Sequence, residues 1–230
     1  MKILICLATE LEKYPVENRL KGLSDINNSW LRFCQHEIKF LVTGVGAAAT
    51  TFQLASFPGV RDFDMLLQAG IAGSFETLFP IGTVVEVTSE QFGDLGIEDK
   101  DGSFRNVFEE GLVPADDFPF QHGILFNPHK HTDLPSAKAI TVNKVHGQAG
   151  SIQNIRSLYN PDIESMEGAA FFYVALHMGK PFCQLRAVSN MVEPRDKSTW
   201  NITLAMDNLT NEVIRILQSE SLKINPEIES

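Results

Sequence analysis

Glu167 stands at the mouth of a stretch, 168–178, that is apolar nearly all round, and Arg186 lies inside the apolar run 182–188. Burying a lone charge is costly, so each of these must be paired or put to use. The two alone are equally compatible with a structural ion pair between a helix start and a strand. Ser189 and Asn190 then follow at the carboxyl end of that strand, with Pro194, Arg195, Asp196 and Trp200 beyond them. Polar groups converging at one strand end suit recognition of a heterocycle and a sugar. A carboxylate accepts from two vicinal hydroxyls at once, and each charge-assisted bond contributes about 1.5–3 kcal/mol, which gives Glu167 a ribose-binding role. Two more acids, Glu10 and Glu12, leave the end of the first apolar run, 2–8, where ligands of open α/β sheets gather.

The elements that must position these groups follow from pattern. Buried strands are expected at 2–8, 64–69, 82–89, 137–142 and 182–188, a hairpin at 30–34 and 38–43, and helices at 16–22, 148–158, 167–178 and 199–218. The last helix spaces Ile202, Met206, Leu209, Val213 and Ile216 three or four apart, one core-facing stripe. Two strands lead into glycine turns, Gly44-Val45-Gly46 and Gly70-Ile71-Ala72-Gly73-Ser74, which suggests a pocket floor lined by backbone. The first turn lacks the third glycine of a dinucleotide site and the P-loop lysine; it is suited to present backbone donors or to hold an anion. The irregular, acidic segment 90–119 carries Phe92, Phe104 and Phe108 and reads as a lid or a surface excursion.

A chain of 230 residues, 43% hydrophobic and 21% charged, fits one domain over 1–222 with a polar tail at 223–230. No window is long and apolar enough to span a bilayer, and the N-terminal apolar run stops at Glu10 without a cleavage signature, so the expected setting is cytoplasmic, with no membrane partner. Cys6, Cys34 and Cys183 are unpatterned and read as reduced core thiols. A net charge of −10 with no basic cluster argues against nucleic acid. His129-Lys130-His131 has no ligand spacing for zinc and reads as a solvated loop, His146 and His177 read as a loop and a helix histidine, and no GxSxG elbow is present. Neither metal nor cofactor is expected.

The strings AT..E near the start, GIAGS after a strand, MEGAA, and RAVSN followed by RD and W occur in this order. Together they resemble the purine nucleosidase and nucleoside phosphorylase superfamily over nearly the whole chain, and ESMEGAA with RAVSNMVEPRD…W looks most like its futalosine hydrolase family. The resemblance implies a three-layer α/β/α fold with a central mixed β-sheet, hydrolysis of futalosine to hypoxanthine and dehypoxanthine futalosine in menaquinone biosynthesis, and at least a homodimer. It also implies roles by position. Glu12, with Glu10 as the near alternative, would hold and deprotonate the attacking water. Met166 and Glu167 would take the ribose, Arg186 would orient the carboxylates, Ala72 and Gly73 would offer backbone near sugar and base, and Asn190 would face the purine.

Related adenosine-type nucleosidases carry an aspartic acid where Asn190 stands. An amide accepts from N7–H and donates to O6 of a 6-oxopurine, a pattern adenine does not offer, which favours hypoxanthine as the leaving base. That departs from a methylthioadenosine or adenosylhomocysteine nucleosidase. The acids of TELEKYP would repel phosphate, which departs from a nucleoside phosphorylase. A nucleoside-binding sensor would have no need of Glu12. Arg195 and Trp200 are candidates for the aromatic carboxylate of futalosine's 5′ extension; Arg195-Asp196 as a local ion pair and Trp200 as a helix anchor are the alternatives.

Overall fold

The computed structural model describes residues 1–23, 25–27, 30–219 and 222, so the expected tail at 223–230 lies outside the described residues. The chain opens with β1 (Lys2–Leu7), whose side chains alternate between two cores, Ile3, Ile5 and Leu7 in one and Leu4 and Cys6 in the other. A strand buried on both faces needs a helical layer on each side. The elements that follow are α1 (Glu10–Lys21), β2 (Asp25–Asn27), β3 (Trp30–Phe33), β4 (His36–Val42), α2 (Ala47–Ala55), β5 (Met65–Ser74) and β6 (Val84–Phe92). Then come β7 (Gly96–Glu98), β8 (Phe104–Asn106), β9 (Leu125–Phe126), β10 (Ser136–Thr141), α3 (Ala149–Tyr159), β11 (Ile163–Ser165), α4 (Gly168–Met178), β12 (Phe182–Met191) and α5 (Ile202–Gln218).

The main sheet runs β11-β10-β6-β12-β5-β1-β4-β3-β2, with β9 beside β6. Its pairings are mixed: β1 is parallel to β4 and β5, and β5 to β12, while β12 meets β6 antiparallel. Helices α1 and α5 cover one face through Val16, Leu20, Ala205, Leu209 and Val213. Helices α2 and α4 cover the other through Leu54, Ala169, Phe171 and Phe172. This is the expected α/β/α arrangement, with one addition. β11 also pairs antiparallel with β5, Ile163 opposite Ser74 and Glu164 opposite Gly73. That pairing closes β5, β12, β6, β10 and β11 into a ring.

Several boundaries differ from the pattern reading for local reasons. α1 begins at Glu10, not residue 16, because Thr9 and Glu12 form a capping box that nucleates the helix six residues earlier. GIAGS is no turn: β5 continues through it to Ser74, held by β12 on one side. Segment 90–119 starts as strand and then forms the β7–β8 hairpin. Phe108 and Phe120 stack edge-on, and Phe120 reaches Tyr173 of α4, so this segment is anchored to the body. Cys6 and Cys183 are buried, but Cys34 is exposed in the tight β3–β4 turn with φ of 50°, contrary to the core reading. His131 is likewise buried, not solvated, and its backbone N–H donates to Glu86 Oε1 at 2.8 Å. No described helix is long and apolar enough to cross a membrane.

Candidate active site

Two side chains from distant stretches, Glu12 and Arg186, meet over Gly70, and a third, Glu167, joins them through Arg186. Glu12, in the first turn of α1, accepts from the Ile71 backbone N–H through Oε1 at 3.2 Å and from the Thr9 N–H and hydroxyl through Oε2 at 3.1 Å each. Glu167, just ahead of α4, accepts from the Gly46 N–H at 3.2 Å and pairs with Arg186 Nη1 at 3.4 Å. Arg186 Nη1 also donates to the Ile71 carbonyl at 3.3 Å, and its Nε donates to Gln184 Oε1 at 3.0 Å. All three are at least nine-tenths buried. A Cβ on Gly70 would lie 2.6 Å from Arg186 Nη1 and 3.1 Å from Glu12 Oε1, so the strand must be bare at this point. Gly46, at φ of 91°, supplies its N–H from a conformation that other residues avoid. The glycine turn after β4 thus presents a backbone donor, and its acceptor in this structure is Glu167.

The two acids after β1 are now distinguished. Glu10 is an exposed residue paired with Lys13 at 2.9 Å, whereas Glu12 belongs to the buried cluster. Burial pushes the Glu12 carboxyl above the usual range; the Arg186 charge and the Ile71 N–H pull it back, and Glu167 adds to the rise. A buried carboxylate with an elevated pKa beside a cation is suited to take a proton from water.

At the other end of the cluster, the β5–β12 register shifts between Val188 and Asn190, so Ser189 is an extra residue opposite Ala72 and Gly73. Such a bulge re-aims side chains. Ser189 Oγ lies 3.3 Å from the Ala72 carbonyl and 2.9 Å from Asn190 Oδ1, to which it donates, and Asn190 Nδ2 donates to the Met191 carbonyl at 3.0 Å. A Cβ on Gly73 would lie 3.1 Å from Asn190 Nδ2, so this glycine leaves the amide its place. Met166 is half-buried next to Glu167. Ser189 and Asn190 thus lie at the carboxyl end of β12, as expected, with the strand running on to Met191.

Arg195 is exposed and its guanidinium stacks 5.2 Å over the half-buried Trp200 ring. Asp196 accepts from the Ser198 backbone N–H at 2.9 Å, capping a short turn, so Arg195 is not its partner in a hydrogen bond or salt bridge among the described residues. The chain then returns, since the Asn201 N–H donates to the Ser189 carbonyl at 2.8 Å.

Two acids escaped the sequence reading. Glu164, opposite Gly73, accepts from the His146 backbone N–H at 3.0 Å and lies 2.6 Å from His146 Nδ1, a partly buried pair near Asn190. Glu90 is fully buried in β6, its Oε2 accepting from the Thr141 hydroxyl at 3.0 Å. Both have polar sequence neighbours, Ser89 and Gln91 for Glu90 and Asp162 and Ser165 for Glu164, so the signal that singled out Arg186 was not there to find them.

The chain belongs to the phosphorylase superfamily, whose pattern it matches over residues 36–219. Within it the chain groups with the futalosine hydrolases. It is 33% identical to the futalosine hydrolase of Streptomyces coelicolor over 179 residues, 75% of each chain. Its identity to that of Thermus thermophilus is 27% over 194 residues, 79% of this chain and 81% of the other. The fold is shared with a 5'-methylthioadenosine/S-adenosylhomocysteine nucleosidase from Helicobacter pylori in complex with butyl-thio-DADMe-Immucillin-A (TM-score 0.74, 16% identity, 94% of this chain and 97% of that one). It is shared as well with native futalosine hydrolase of Helicobacter pylori (TM-score 0.72, 16% identity, 94% and 97%).

Proposed function

We propose that this protein hydrolyses the N-glycosidic bond of futalosine, releasing hypoxanthine and dehypoxanthine futalosine for menaquinone biosynthesis. The observation that carries the reading is the buried set of Glu12 and Arg186 over Gly70 with Glu167 paired to Arg186, and Asn190 held at the neighbouring bulge; the kinship with futalosine hydrolases supports it.

In this reading Glu167 accepts the ribose hydroxyls and Met166 packs beneath the sugar. The bond from C1′ to N9 breaks, its electron pair leaves with the base, and water adds to C1′ while giving its proton to Glu12. Positive charge growing on the ribosyl ring is stabilised by the two carboxylates, and Arg186 holds them in place. Ser189 orients Asn190, whose amide reads N7–H and O6. An amide is no Brønsted acid, so the N7 proton comes from water or another side chain. Arg195 and Trp200 serve the acidic 5′ group. The enzyme acts as a cytoplasmic homodimer or higher homo-oligomer, and it needs neither metal nor cofactor.

Incubation with futalosine and with inosine, each with and without phosphate, tests the reading by free hypoxanthine. Release from futalosine without phosphate is expected; no release, or release only with phosphate, sinks it. Asn190→Asp supplies the acid that adenine-releasing enzymes use. The preference for 6-oxo over 6-amino substrates should fall by roughly 10²-fold or more. An unchanged hypoxanthine-to-adenine ratio would remove Asn190 from base selection.

A further inference from the structure

Glu90 lies on β6, completely buried, and nothing in the hydrolysis as drawn above uses it. Its surroundings are unlike those of Glu86 on the same strand. Glu86 is equally buried, but its carboxylate takes three donors, the backbone N–H groups of His131 and Thr132 and the Thr132 hydroxyl, at 2.6–2.8 Å. Glu90 Oε2 takes the Thr141 hydroxyl, while Oε1 is buried without a hydrogen bond of good geometry. Gln184 lies beside it: a Cβ on Gly168 would fall 1.7 Å from Glu90 Oε1 and 2.7 Å from Gln184 Oε1. That Gln184 oxygen already accepts from Arg186 Nε at 3.0 Å and has a second lone pair. A carboxylate is poorly served here, whereas a carboxylic acid fits, donating from Oε1 to Gln184 and accepting from Thr141 at Oε2.

The same contacts lead into the candidate site. The Thr141 hydroxyl accepts from the Ala169 N–H at 2.7 Å, in the first turn of α4, directly after Glu167. Gln184 leads to Arg186. The charged groups that act on Glu90 are Arg186, from β12, and Glu167, from the entry to α4. One guanidinium therefore faces three buried carboxyl groups, those of Glu12, Glu90 and Glu167.

We propose that Glu90 is a positioning residue that works as a neutral acid: through Thr141 it fixes the start of α4 under Glu167, and through Gln184 it holds Arg186 on the Glu12 and Glu167 carboxylates. Ionisation of Glu90 adds a third negative charge that competes for Arg186 and disorganises the pair around the water. Burial pushes the Glu90 acid up to about 7; the Arg186 charge and the Thr141 hydroxyl oppose this, and Glu167 adds to it. The switch from neutral to charged thus falls near neutrality.

The kinetic test rests on the futalosine hydrolase reading. Wild-type kcat for hypoxanthine release should decline as pH rises through about 7 with little change in KM, and the decline should be absent in Glu90→Gln. Glu90→Leu, which keeps bulk but no polar atom, should lower kcat by roughly 10- to 10²-fold, with glutamine recovering most of that loss. An alkaline decline that persists in Glu90→Gln, or a glutamine variant as impaired as the leucine one, overturns the proposal.

Two readouts need no substrate. An acid whose pKa is raised on folding contributes stability that is full below its unfolded value and lost as pH rises through its folded one. The Tm of wild type relative to Glu90→Gln should therefore fall between pH 4.5 and about 7 and level off above; a constant difference overturns the proposal. Infrared titration of the wild type against Glu90→Gln should show a buried carboxylic-acid band at about pH 6 that is lost by about pH 8 and is missing from the variant; its absence from wild type at the lower pH, or its persistence in the variant, is equally adverse. If wild type fails to cleave futalosine, that reading falls while these two measurements still decide the state of Glu90.

Discussion

Glu12→Gln should retain ligand binding near the wild-type level and lower turnover by about 10²- to 10⁴-fold, the usual cost of a missing general base. The amide has the same shape, and its oxygen can still accept from the Ile71 N–H that now holds Oε1. What it lacks is a site for the proton of water. Glu167→Gln should behave differently, weakening binding and turnover together, because it loses the charge opposite Arg186 as well as its capacity toward two hydroxyls. Binding of dehypoxanthine futalosine by calorimetry and single-turnover release of hypoxanthine separate the two effects. Unchanged turnover in Glu12→Gln would take Glu12 away from the water. The base must be ionised to act, so wild-type kcat/KM should also fall as pH drops through the elevated Glu12 pKa, and this acid limb should vanish in the glutamine variant.

Gly168→Ala should be strongly damaging. Its Cβ would lie 1.7 Å from Glu90 Oε1, 2.6 Å from Glu90 Cδ and 2.7 Å from Gln184 Oε1, and neither side chain has solvent to retreat into. Overpacking of this kind costs about 1–3 kcal/mol. The strain is relieved by lifting the first turn of α4, which carries Glu167 away from Gly46 and Arg186, so turnover should drop with stability. Urea unfolding and steady-state kinetics measure both, and a variant with wild-type midpoint and kcat would show that the α4 entry is looser than drawn. Gly70 offers a comparison, since its Cβ would meet the buried guanidinium of Arg186 as well as Glu12.

The charges that the chemistry needs were legible wherever a charged residue interrupts an apolar string. Glu167 before α4 and Arg186 in β12 stand out on that ground, and the buried pairing between them is what the cost of burying each alone requires. Glu90 and Glu164 did not stand out in this way: Glu90 lies past the apolar part of β6 among Ser89 and Gln91, and Glu164 lies in a three-residue strand between Ile163 and Ser165. The glycine-rich GIAGS reads locally as a turn, because glycine is permissive; it is strand here because β12 and β11 flank it and Arg186 needs the space.

By itself, then, the sequence determined the alternation of strands and helices, the two-faced burial of β1 and the identity of most charged groups that must find partners, since these follow from hydrophobic period and desolvation cost. Only the tertiary structure decided which groups meet. Glu12 and not Glu10 joins the cluster because the capping box turns its carboxylate inward toward Ile71, 59 residues away, and Gly46 reaches Glu167 across 121 residues. Contacts of that separation are set by strand order and register, which short-range pattern does not encode.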